Sequence, residues 1–111
     1  MGYLKQSFAA KALPMAAEIK DFLKQNENVE LGTYTIGQAY GGMKSMKALV
    51  TETSLLDPEE GIRFRGYTIP ELREKLPHLE SCTEPLPEGL FYLLLLDEIP
   101  TYKDVQHIAN V

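Results

Sequence analysis

Apolar residues at Leu4, Phe8, Met15, Ile19 and Phe22 recur at helical spacing, with lysines falling mostly between them. That pattern predicts an amphipathic packing helix over about residues 4–25. Pro14 lies inside it. A proline there removes a backbone donor and crowds the preceding turn, so a kink or two shorter helices are expected, with Pro14 opening the second. The polar stretch Gln25 to Glu30 ends the helix.

From Leu31 the periodicity changes. The run LGTYTIGQAYGG has β-branched and aromatic residues punctuated by glycine, which reads as strand or extended loop. Ala48 to Leu56 and Ile62 to Tyr67 then flank Asp57-Pro58-Glu59-Glu60-Gly61. Asp first and Pro second favour a type I turn, because the Asp carboxylate bonds back to the turn amides and Pro presets φ. A β-hairpin region is expected over 29–67. Alternation puts Ile62 and Phe64 on its inner face and Arg63 and Arg65 on the other, either solvated or paired with carboxylates such as Glu52.

Thr68-Ile69-Pro70-Glu71 has the form of a capping box, starting a helix at about 69–76 that ends before Pro77. His78 to Glu84 reads as a loop. Pro85 and Pro87 lead into a helix at about 88–97, whose apolar run Leu90 to Leu96 suits burial on most sides and calls for more protein around it. Pro100 breaks it, and Thr101 with Asp104 caps a final amphipathic helix over 102–111 that looks cut short at Val111. The fold class expected is mainly α with a small β-hairpin.

The length of 111 residues fits one domain of modest core, for which help from another protein is reasonable. The net charge is −5, which argues against a nucleic-acid footprint, since that needs clustered positive charge. The charge is uneven, at +2 over residues 1–51 and −7 over 52–111, so an anion site belongs in the first half. The seven-residue apolar run is far short of the roughly 20 residues a spanning helix needs, so no membrane span is expected. With Cys82 alone, no intrachain disulfide forms and a reducing setting is the default. The acid-free opening, with Lys5 and Lys11, is loosely like a transit peptide but lacks Arg, and reads as helix first.

Chemistry-bearing patterns are sparse. His78 and Cys82 are four apart and His107 is distant, which matches no usual zinc spacing, so no metal site is assigned. A Cys–His nucleophile pair lacks an orienting third group, so no catalytic residue is assigned either. Gly37 to Ser45 nearly imitates a phosphate loop. Met43, however, stands between the second glycine and Lys44, and the register needed for phosphate and magnesium is lost, which excludes nucleotide hydrolysis. Tight glycines at 41 and 42 beside the cations of Lys44 and Lys47 remain.

Three blocks, YGGMKSMK, LVTETSLLDPEEGIRFRGYTIPEL and EPLPEGLFYLLLLDEIPT, resemble in order and spacing the N-terminal quarter of mitochondrial-type citrate synthase. The likeness extends from about Leu4 to Ile108. It implies the N-terminal segment of an all-helical, dimeric enzyme of the mitochondrial matrix that condenses acetyl-CoA with oxaloacetate to citrate and CoA. By that resemblance the catalytic Asp and His lie beyond this chain, so the segment is expected to be inactive alone and to bind no cofactor alone, with CoA or acetyl-CoA a substrate of the whole enzyme. One functional position carries over. Lys44 stands where the family has an arginine that helps bind the CoA phosphates, keeping the charge but losing the planar fork. Ser45 and Ala48 stand where the family has glycine. The expected partners are the remainder of a citrate synthase and its dimer mate, or, if the chain is a complete non-catalytic product, subunits of a mitochondrial assembly in which it is a structural or accessory subunit.

Overall fold

A computed structural model describes residues 2–110 in the order α1 (Gly2–Asn26), α2 (Ile36–Tyr40), β1 (Ser54–Asp57), β2 (Gly61–Phe64), β3 (Tyr67–Thr68), α3 (Ile69–Lys75), α4 (Pro87–Leu96) and α5 (Tyr102–Ala109). The mainly α class with a small antiparallel sheet is as expected. Val111, the expected end of the last helix, lies outside the described residues. The stretch up to Pro14 together with that from Thr51 onward forms one compact unit, and Met15–Val50 forms a second.

In the first unit the strands run in the order β1-β2-β3, with Leu55 opposite Arg63 and Leu56 opposite Ile62. The hairpin turn is built as its sequence demands. The Asp57 carboxylate accepts from the amides of Glu59 at 2.9 Å and Glu60 at 2.8 Å, and Gly61 completes the reversal at φ 94°. Two strand expectations need correction. Residues 48–53 are not strand, so β1 begins only at Ser54, and β2 stops at Phe64. Arg65 and Gly66 both adopt positive φ, 48° and 84°, and this second tight reversal starts β3. Arg65 therefore does not continue the face of Arg63. Arg63 forms a two-pronged ion pair with Glu60, not Glu52, and donates to the Gly66 carbonyl at 2.7 Å.

The core joins Leu72 and Leu76 to Leu93, with Phe64, Tyr67, Leu90 and Ile99 packed against them. Proline opens α4 at its first position, where its missing N–H costs no helical bond, and Asp97 closes it in a left-handed conformation at φ 56°. Tyr92, Leu93 and Leu96 are buried, Leu90, Leu94 and Leu95 half-buried, and only Phe91 is open, at 50%. This apolar run is thus sheltered largely by the chain's own residues, and it does not by itself require added protein.

Both expected capping boxes form. The Thr68 hydroxyl accepts from the Glu71 amide while the Glu71 carboxylate accepts from the Thr68 amide at 2.8 Å, and Thr101 and Asp104 repeat the pattern at 2.9 Å. The Thr68 amide and hydroxyl hold the Glu71 carboxyl below its ordinary value of 4.5. Chiefly the Thr101 hydroxyl does the same for Asp104, below 3.8. Both groups bind protons more readily unfolded than folded. Their stabilisation is therefore present above those ordinary values and is lost as pH falls through the folded ones. Urea titrations should show a midpoint unchanged from pH 7 to 5 and falling below about pH 4. Acid sensitivity of equal size after Thr68→Ala with Thr101→Ala would show that these caps are not its source.

The second unit contains the C-terminal half of α1, from Met15, and the short α2. Helix α1 runs unbroken through Pro14, so it is not split there into two shorter helices. Alanines at 9, 10, 12, 16 and 17 surround the proline with the strongest helix former, which offsets one missing hydrogen bond. The expected packing face is not covered, because no residue of α1 is fully buried and Phe22 is 63% exposed. The extended reading of 31–42 fails at Ile36–Tyr40, which is helical. Here Thr35 and Gln38 form a third capping box, which outweighed the β-like composition.

Candidate functional site

Lys44 stands at the crest of a turn that follows α2 directly. Gly41 caps the helix with its amide on the Gly37 carbonyl, and the Met43 amide donates to the Gln38 carbonyl, both at 2.9 Å. The chain then passes through positive φ at Gly42 (76°), Met43 (60°) and Ser45 (61°). Left-handed backbone is natural for glycine and costly for the other two, and Lys44 within this turn is exposed to solvent. Beside this turn a cavity of about 410 Å³ lies between residues 31–34 and 45–48, with Lys47 on its wall. Of the two lysines singled out from the sequence, Lys47 lines this cavity, while Lys44 directly precedes the lining residue Ser45. Ser45 occupies a backbone conformation suited to glycine, the residue the family resemblance expects there.

The other candidates are placed apart. His78 bridges to Pro85 and its Nδ1 lies 3.2 Å from the Leu79 carbonyl, while Cys82 is exposed. His107 meets the Tyr3 ring edge-on at 5.2 Å, where the Tyr3 hydroxyl donates to Asp104 at 3.2 Å. Burial, reinforced by a hydrogen bond with Tyr3, pushes the Tyr92 phenol well above its usual range. These contacts, with the Lys11–Glu98 ion pair, tether the first turns of α1 within its own unit. Among the described residues no three His, Cys, Asp or Glu side chains gather as metal ligands, and no helix is long and apolar enough to cross a membrane.

The roles of two residues were not found from the sequence. Arg65 donates twice to the Leu94 carbonyl, at 3.1 and 2.6 Å, and supplies the C-terminal end of α4 with the cation that helix lacks in its last turn. Gln38 spans the start of α2 and the Lys44 turn, accepting from the Thr35 amide at 2.9 Å and donating from Nε2 to the Lys44 carbonyl at 3.4 Å. The hidden signal was the Thr35-x-x-Gln38 spacing.

The candidate site is thus an exposed lysine turn on a helical scaffold, with no cluster of metal-ligating side chains among the described residues. Comparison with known proteins supplies the family. The chain is 53% identical over 106 residues to the mitochondrial citrate synthase of Saccharomyces cerevisiae. It is 51% identical over 106 residues to the mitochondrial 2-methylcitrate synthase of Yarrowia lipolytica, and 53% over 92 residues to the mitochondrial citrate synthase of Xiphias gladius. These matches cover 96%, 96% and 83% of this chain, which spans only about a fifth of the relatives' own length, at 22%, 23% and 20%. No protein-family model matches it. The chain belongs to the citrate synthase family and corresponds to its N-terminal part.

Proposed function

We propose that residues 1–111 act in the mitochondrial matrix as the N-terminal portion of a citrate synthase, condensing acetyl-CoA with oxaloacetate, and that Lys44 contributes a phosphate contact to CoA. The observation that carries this reading is identity of about half the residues over nearly the whole chain with curated synthases. The exposed positive charge at the Lys44 turn agrees with it. So do the exposed apolar side chains of α1, such as Phe22 and Leu23, and those at Tyr34, Tyr40, Leu49 and Val50, each of which suits cover by further protein of the same enzyme or its dimer mate.

Lys44→Ala should weaken CoA binding about tenfold or more, since a hydrogen bond to a charged group is worth roughly 1.5–3 kcal/mol. Oxaloacetate affinity should stay nearly unchanged. Calorimetry on the full-length polypeptide that carries this segment checks both, and unaltered CoA affinity would remove the assignment. The segment purified alone should release no CoA from acetyl-CoA with oxaloacetate above the protein-free rate. Proton abstraction beside the thioester needs a positioned base, and the family's lie outside these residues. Turnover by the isolated segment would refute that division.

A further inference from the structure

We propose that Gln38 is the positioning residue for Lys44, its side-chain amide tying the start of α2 to the turn that presents the lysine. The inference rests on the reading of Lys44 as a CoA-phosphate contact. Lys44 itself is exposed, and its long side chain is mobile by nature, so what can be fixed in advance is its backbone. Three of the residues from 42 to 45 hold positive φ, two of them not glycine, and such a conformation persists only where neighbouring contacts determine it. Gln38 provides those contacts from both its main chain and its side chain. Its carbonyl accepts from Met43 at 2.9 Å, one residue before Lys44. Its Nε2 donates to the Lys44 carbonyl at 3.4 Å, while Oε1 of the same amide accepts from the Thr35 amide at 2.9 Å. The Gln38 amide N–H donates in turn to the Thr35 hydroxyl at 3.2 Å, which anchors residue 38 in the helix. One planar amide therefore uses its acceptor on the helix start and its donor on the turn, a pairing no carboxylate or alkyl chain can reproduce. Pre-set backbone geometry lowers the ordering cost of binding an anion there.

The test measures CoA affinity by calorimetry in the full-length polypeptide carrying this segment, with oxaloacetate as the control ligand. Gln38→Glu retains an acceptor suited to the capping box but has no donor for Lys44. Gln38→Met loses both and adds no charge. Each variant should weaken CoA three- to tenfold, leave oxaloacetate unchanged, and add little when combined with Lys44→Ala. A loss with Gln38→Glu alone would be charge repulsion, and a loss with Gln38→Met alone would be unwinding of α2. Either result overturns the proposal. So does an undiminished effect of the Gln38 variants in the Lys44→Ala background, or unchanged CoA affinity in both variants while Lys44→Ala still weakens it. If Lys44→Ala has no effect, the reading of Lys44 falls first and this inference falls with it.

Discussion

Leu93→Ala should lower the stability of the unit built on the hairpin and α3 to α5 by about 2–5 kcal/mol, the largest effect expected of any single truncation here. Leu93 is fully enclosed, at 0% exposure, and packs with Leu72 of α3 and with Leu76, which caps that helix. Removing its branched end strips apolar area from the core and leaves a void whose walls come from three different segments, α3, α4 and the hairpin. A void walled by separate elements collapses poorly, which favours the upper part of the range. Leu95, half-buried on the same helix, is the control, and Leu95→Ala should cost clearly less. Denaturant midpoints of the two variants check the ordering, and equal losses would mean that α4 is not held as described.

Arg65→Ala should cost about 1.5–3 kcal/mol, the value of hydrogen bonds made by a charged group. The guanidinium crosses 29 positions of sequence to reach Leu94, at a helix end whose last carbonyls have no partner within the helix. Losing it leaves that carbonyl to water and unties the reversal at Arg65 and Gly66 from α4. Arg65→Lys should recover only part of the loss, because an ammonium cannot aim two parallel donors at one oxygen. A lysine variant as stable as the parent would show that charge alone suffices.

The legibility of these features in the sequence differs by the range of the interaction that creates them. The turn at Asp57 to Gly61 and the boxes at Thr68 and Thr101 were readable, because every atom involved lies within four residues. The end of β2 was not. Nothing in IRFRG announces that Arg65 leaves the strand, and its conformation follows from a bond to a helix far along the chain. Helix α2 was missed because β-branched and aromatic composition hid a local cap. The exposed face of α1 could not be foreseen either, since periodicity tells which residues share a face and not whether this chain covers it. At the candidate site Lys44 came from resemblance, whereas Gln38 emerged only from the geometry of the turn.

The three helices that begin with a threonine box are latched by different chemistry. Glu71 and Asp104 close theirs as anions, and protonation loosens both. Gln38 closes the third with a neutral amide that does not titrate. Acidification should therefore fray the starts of α3 and α5 while the start of α2, with the cationic turn beyond it, keeps its amide protection in hydrogen exchange. The chain thus contains an acid-indifferent latch on the helix that leads into its candidate site and acid-sensitive ones in the scaffold, so that acid below about pH 4 separates damage to the frame from damage to the site.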